Sequence, residues 1–277
     1  MGYLIFRGVS TASLTNVFVS KMPSHKKGGM RYAEYYVKGR DGALHVDEGY
    51  EDFELTVILV LLNAGADTRY TVNAWADGTG KLVSSDDLTR AYMASVKSEI
   101  EWQRVKAHSV IPPFLTTETY ASGDIVLQGG VPYRFTASHS GAWTGSDVTV
   151  IPVPNGFFDT ATITFDCQPY MVEAVDSQIT MTETAAIVNP GSMVSYPLIQ
   201  VNGSGDAVFA VNGNEIQIDS MTSNVPVYID CQNGYVYTAS GATSIRGEIP
   251  FLAMGSNTIT ITSGITSLVI TPHWRWI

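Results

Sequence analysis

Five carboxylates, Asp47, Glu48, Glu51, Asp52 and Glu54, fall in one short stretch, and paired carboxylates are what glycoside hydrolysis uses as acid, base or nucleophile. That chemistry needs a cleft whose walls set the two groups apart, and nothing around this stretch supplies one. A solvated turn and strand edge is the expected reading. Gly78-Thr79-Gly80-Lys81 fails as a phosphate loop, because Trp75 stands where the first glycine belongs and Leu82 follows the lysine. No serine sits in a G-x-S-x-G setting. Cys167 and Cys231 form no CxxC and no Cys/His spacing for zinc, and His25, His45, His108, His139 and His273 are scattered singly. Both cysteines lie in strand-like runs, so two buried thiols are expected in place of a bridge. The residues therefore predict no catalytic group, no metal and no cofactor.

Composition bounds what else the chain can do. Of 277 residues, 45% are hydrophobic and 15% charged, enough to bury two ordinary cores. A formal net charge of −10 argues against gripping nucleic acid or an anionic membrane, since phosphate binding relies on clustered Lys and Arg. The small basic cluster, Lys26, Lys27 and Arg31 around Gly28-Gly29, reads as a solvated loop. The first apolar run breaks at Arg7 and supplies no signal-peptide core. The longest, Val57 to Leu62, is too short for a bilayer but suits a strand buried on both faces. Synthesis in the cytoplasm and no membrane partner are expected.

The elements that must carry these residues are mostly strands. Tyr32 to Val37, Phe53 to Leu62 and Tyr92 to Val105 read as strands, Thr11 to Val19 alternates weakly, Gly39 to Gly42 reads as a turn, and Asn73 to Gly78 as a helical turn ended by glycine. Between Pro112-Pro113 and Pro152 the composition shifts, and Tyr120 to Phe135 reads as two short strands around a glycine turn. Strand character resumes at Ala161 to Cys167. After a Thr-rich link, strands are expected at Tyr196 to Val201, Ala207 to Val211, Glu215 to Asp219, Val225 to Cys231, Tyr235 to Thr238, Thr258 to Thr262 and Ser267 to Thr271. Asn202-Gly203, Asn212-Gly213 and Asn233-Gly234 mark hairpin turns. This spacing implies a β-sandwich or jelly roll. Trp274 and Trp276 alternate with Arg275, so one face of the last segment should be buried, as in a component packed into a sheet or a partner.

Several stretches together carry a family resemblance. Gly39-Arg40-Asp41-Gly42 with Val46 to Phe53, Ser85-Asp86-Asp87, and Thr162 to Tyr170 resemble the N-terminal domain of distal tail proteins (Dit) from long-tailed, siphovirus-type phages of Gram-positive bacteria. Asn189-Pro190-Gly191, Tyr196-Pro197-Leu198-Ile199, Ile229-Asp230-Cys231, Pro250-Phe251-Leu252, Gly255 to Ile259 and Ile270 to Arg275 are similar to that family's C-terminal galectin-like domain. His273 stands where the family often has arginine. The resemblance implies a mainly β protein. An N-terminal β-sandwich-type ring domain with a short helix would span 1–105 plus 155–172, a small inserted β module 106–154, and a galectin-like β-sandwich or jelly roll 185–277.

It also implies a structural hub of the virion, at the phage tail tip. The chain would form a homohexameric ring that joins the tail tube protein to tail-tip, tail-associated and baseplate proteins, lets DNA pass without specific binding, and can carry a receptor-binding protein on its outer arm. Residues 106–154 resemble small chitin-binding-type modules through Tyr120, Gly123, Asp124, Val126, Gly130, Tyr133 and Trp143, the "evolved" form of the hub. This implies carbohydrate binding, to host cell-wall saccharide, by Tyr120, Tyr133 and Trp143, because a pyranose face stacks on an aromatic ring while its hydroxyls take hydrogen bonds at the rim. Tyr120 and Trp143 are expected as the exposed pair and Tyr133 in the core; a small module also needs aromatics simply to fold. The alternatives are a free carbohydrate-binding or adhesin-like β protein, and the equivalent hub of a phage-derived injection device. The missing export signal favours a virion component.

Overall fold

The computed structural model describes residues 2–39, 41–62, 66–97, 99–106, 111–152 and 157–277. Arg40 of the expected turn, His108, and residues 107–110 and 153–156 at the two ends of the expected 106–154 module lie outside them. The chain is mainly β, with one α-helix among the described residues, and it divides into two compact units, Met1–Pro169 and Tyr170–Ile277.

In the first unit the strand Phe157–Glu173 is central. Its inward residues Ala161, Ile163, Phe165 and Cys167 are fully buried, as period-two alternation requires. Phe53–Leu61 pairs with it antiparallel from Asp159↔Leu61 to Cys167↔Phe53. Glu101–Lys106 pairs with its first half from the other side, opening at Phe157↔Lys106. Asp87–Val96, Thr79–Ser84, Leu4–Phe6 and Val9–Ser10 continue the sheet on that side, and Val17–Val19 closes the other. The expected single run from Tyr92 to Val105 is thus two strands. Thr11 to Val19 is a 3-10 turn, Thr11–Ser13, capped by the Ser10 hydroxyl, which accepts from the Ala12 N–H, followed by the strand Val17–Val19.

The expected helical turn is the end of a ten-residue helix, Ala66–Trp75. Thr68, Thr71 and Val72 are poor helix formers, so local propensity hides its start; packing makes it. Val72 is fully buried and Trp75 nearly so. Phe6, Trp75 and Phe165 meet edge to face, with centroids 5.0–6.1 Å apart. Arg69 on the helix and Arg104 on its strand both bond the buried Asp159 carboxylate, at 2.7 and 3.1 Å, tying helix to sheet. Lys106 and Phe157 stand directly opposite each other, so the chain leaves the sheet and returns to it at one paired position. Between them Ile125–Gln128, Val131–Phe135 and Val148–Val150 form a three-stranded sheet, and Thr119–Tyr120 pairs with His139–Ser140. Ile111, Ile125 and Ile151 from this stretch pack with Phe18, Val60, Leu62 and Phe158 of the larger sheet.

Two long strands organise the second unit. Leu198–Val211 and Gly255–Thr271 pair along most of their length but shift register near Gly203 and Ser263. Ile179–Met181 and Val227–Asp230 extend the pairing of one half, with Tyr235–Thr238 and Gly241–Ala242 beyond. Ala185–Asn189 and Asn214–Met221 extend the other. Ile199, Val201, Ile229, Leu268 and Ile270 from the first half share one core with Ile187, Phe209, Ile216, Ile218 and Ile259 from the second. The result is a β-sandwich folded from bent strands.

Asn212-Gly213 is the expected hairpin turn, both residues at positive φ. Asn202-Gly203 is not a turn: Gly203 lies inside a strand, hard against the Gly264 backbone, and the strands expected separately at Tyr196–Val201 and Ala207–Val211, and at Thr258–Thr262 and Ser267–Thr271, are in each case continuous. Trp274 is buried in the core and Trp276 packs at its margin. Arg275 is buried too, its guanidinium over the rings of Tyr170 and Tyr196 at 4.5 and 5.1 Å, so neither face of this segment is open. His273, at positive φ, directs Nδ1 to the Tyr196 carbonyl at 3.2 Å.

Candidate functional site

The three aromatics singled out in the sequence come together in one cluster. Tyr133 and Trp143 meet at 4.9 Å, Tyr120 lies parallel to Phe135 at 4.9 Å and 12°, and Phe114 bridges Tyr120 at 5.3 Å to Trp143 at 5.1 Å. All three are half-buried, in place of an exposed Tyr120–Trp143 pair over a core Tyr133; the fully buried ring is Phe135. The Tyr120 hydroxyl accepts from the Leu115 N–H at 2.8 Å and donates to its carbonyl at 3.2 Å. Tyr120 therefore has a structural role at its polar end.

His139 completes the cluster. It stacks on Phe135 at 5.1 Å and 26°, and its Nδ1 meets the Asp147 carboxylate at 2.6 Å, while Nε2 is buried without a partner among the described residues. Burial works against the charged Asp147 carboxylate, but hydrogen bonds from His139 and Thr144 hold it below the ordinary carboxylate value. Phe114, Phe135 and His139 were not among the expected site residues. Phe114 follows Pro112-Pro113, and a lone histidine carries no spacing signal; only Phe135, at the end of the expected hairpin, was legible. A cleft of about 440 Å³ opens between Gly2, Tyr3 and the 11–18 segment on one side and Ser122 to Ile125 with Arg134 on the other. The three aromatics do not line it. The Arg134 Nε at its wall is buried with no partner among the described residues.

A second surface stands out in the same unit. Met30–Tyr35 and Leu44–Tyr50 form a two-stranded sheet by themselves. Register puts Ala33, Tyr35, Leu44 and Val46 on one face and Glu34, His45, Tyr32 and Asp47 on the other. The strands are amphipathic, yet Tyr35, Leu44 and Val46 are 40–56% exposed. A lone hairpin is marginal in water unless something covers its apolar face. The acidic stretch runs along this hairpin and out of it: Asp47, Glu48, Glu51, Asp52 and Glu54 are all exposed. Glu48 approaches Arg31 at 3.8 Å, and a hydrogen bond from Lys97 at 2.5 Å lowers the Glu54 pKa. Cys167 and Cys231 are free and buried, and burial pushes both thiols up to about 12. Among the described residues no cluster of His, Cys, Asp or Glu is arranged to hold a metal. Among the described residues no helix is long and apolar enough to cross a membrane.

No protein-family model matches the chain, and no curated protein matches its sequence. Its fold is that of a solved structure. The crystal structure of the Dit protein (gp 19.1) of phage SPP1, described as a paradigm of the hub adsorption apparatus in phages infecting Gram-positive bacteria, superposes with a TM-score of 0.59 at 12% identity, over 100% of both chains.

Proposed function

We propose that this chain is a hub protein of the phage tail tip, assembling as a homohexameric ring that joins the tail tube to tip or baseplate proteins and leaves a channel for DNA. The observation that carries this reading is the full-length likeness in fold to the SPP1 hub protein. The uncovered apolar face of the 30–50 hairpin supports it from this chain's own residues, because Tyr35, Leu44 and Val46 are the kind of surface that a second copy would cover. The net charge of −10 suits a channel that must not hold the DNA it passes. Within the ring, the 106–154 module contributes adhesion to host cell-wall saccharide through Trp143 and Tyr133, with Tyr120 shaping the site from behind.

Light scattering on the purified protein tests the assembly. A mass near six times 30.0 kDa is expected, falling to that of the monomer when Tyr35 and Leu44 are both changed to serine, while the far-UV circular dichroism stays that of the folded β protein. A hexamer indifferent to the double change would remove the hairpin from the contact. A monomer at every concentration, alone and with tube protein added, would sink the ring.

A further inference from the structure

The outer face of one sheet in the second unit carries a row of side chains that the core does not need. Strand register sets Val269, Gln200, Tyr228, Tyr237 and Ala242 side by side across five strands. Tyr228 and Tyr237 stand as parallel plates, 5.2 Å apart at 16°. Ala242, the neighbour of Tyr237 on the edge strand, is too small to cover the second face of that ring. Tyr235, two residues along on the same face, is 67% exposed. Tyr120 has its hydroxyl tied to the backbone, but among the described residues no hydrogen bond holds those of Tyr228, Tyr235 and Tyr237.

The other flank of the row is polar and uncharged. Gln200 Nε2 donates to Asn202 Oδ1 and Asn202 Nδ2 donates to Ser267 Oγ, both at 3.0 Å. Asp230 shares the face, but its carboxylate accepts from the N–H groups of Gln232 and Asn233 and closes the turn there. The charge of the unit narrows the ligand further. Residues 170–277 contain eight acidic residues, no lysine and two arginines. Both arginines are occupied, Arg246 by Asp219 at 2.7 Å and Arg275 by its tyrosines. Such a surface repels phosphate-rich or sulfated polymers. What remains is a ligand with flat C–H faces for stacking and neutral hydroxyls for amide and phenol partners.

We propose that this tyrosine and amide face of the second unit is a binding site for a neutral, pyranose-containing saccharide, formed independently of the aromatic cluster in 106–154. One pyranose stacks on the open side of Tyr237 beside the Tyr235 hydroxyl, and Gln200 and Asn202, beyond Tyr228 on the other flank, take hydroxyls of a further sugar unit of the same oligosaccharide. The site stands whether or not the ring forms.

The test uses the full-length protein and its Trp143→Ala variant on an array of neutral and acidic glycans, then titration calorimetry with the best neutral oligosaccharide. Neutral glycans should bind, and binding should survive Trp143→Ala. Tyr237→Ala should weaken it by roughly tenfold, the scale of one lost aromatic contact, while Tyr237→Phe keeps most of it. Binding of acidic glycans alone, no glycan binding, or binding lost with Trp143→Ala and untouched by Tyr237→Ala would each overturn the proposal. Should Tyr237→Ala fail to fold, Tyr235→Ala, at a ring already in solvent, decides in the same way: weaker binding supports the site and unchanged binding removes it. Light scattering on the same samples reports the ring separately.

Discussion

At Asp159 burial and pairing pull in opposite directions. Desolvation alone would raise its carboxyl, but hydrogen bonds from Arg69 and Arg104, and then their charges, hold it below the ordinary value of 3.8. Asp159→Asn removes the charge and leaves two guanidiniums facing an amide. Because both arginines are substantially exposed, water screens part of the loss, and about 1–2 kcal/mol of destabilisation is expected. The sign with pH follows from the lowered pKa. The stabilisation is present above the unfolded-state value near 3.8 and is lost as pH falls through the lower folded value. Thermal melts of wild type and variant should therefore differ at pH 7 and converge in acid. A difference that stayed the same into acid would mean that the aspartate acts by shape alone. Residue identities were enough to assign the free thiols and the solvated acidic stretch. They did not place Asp159, because its two partners lie 90 and 55 positions away in sequence.

Elements of the second unit were legible wherever alternation and turn chemistry agree, as at Asn212-Gly213. Legibility failed where a glycine served a strand in place of a turn. Gly203 and Gly264 face each other across the two long strands, and a Cβ on Gly264, whose φ is +70, would press into the backbone of Asp206 and Ala207. Two backbones this close can change register and bend together without breaking the pairing, which no composition rule separates from a hairpin. Gly264→Val should therefore cost about 3 kcal/mol or more, from the positive φ together with the backbone clash. In calorimetry the second unit's transition should fall and the first unit's should hold. A small effect would show that the bend tolerates a side chain and that the glycines are incidental. The tyrosine face was hidden for a related reason: Tyr228 and Tyr237 stack only once the turn at Asn233-Gly234 sets their register, and that turn was the signal that could have found them.

For the whole molecule the question is what residues 106–154 do for the first unit. Lys106 and Phe157 are paired, and paired strands lie about 5 Å apart, so a short glycine-serine loop can rejoin them once 111–152 is removed. The sheet loses something, however. Phe18, Val60, Leu62 and Phe158 are covered by Ile111, Ile125 and Ile151, a contact that sequence composition could not reveal because each isoleucine sits in its own short strand or loop. Uncovering large apolar side chains costs about 1.5–3 kcal/mol for each one fully exposed. Excision is therefore expected to lower the first unit's stability by about 3 kcal/mol or more, leave the second unit's transition in place, and abolish any binding of cell-wall saccharide that depends on Trp143. The 30–50 hairpin is untouched, so at temperatures where the first unit still folds the mass by light scattering should remain that of the ring. A first transition that does not move would mean the isoleucines cover nothing that matters. A folded excised protein that no longer assembles would place 106–154 in the contact between copies and change its role from adhesion to assembly.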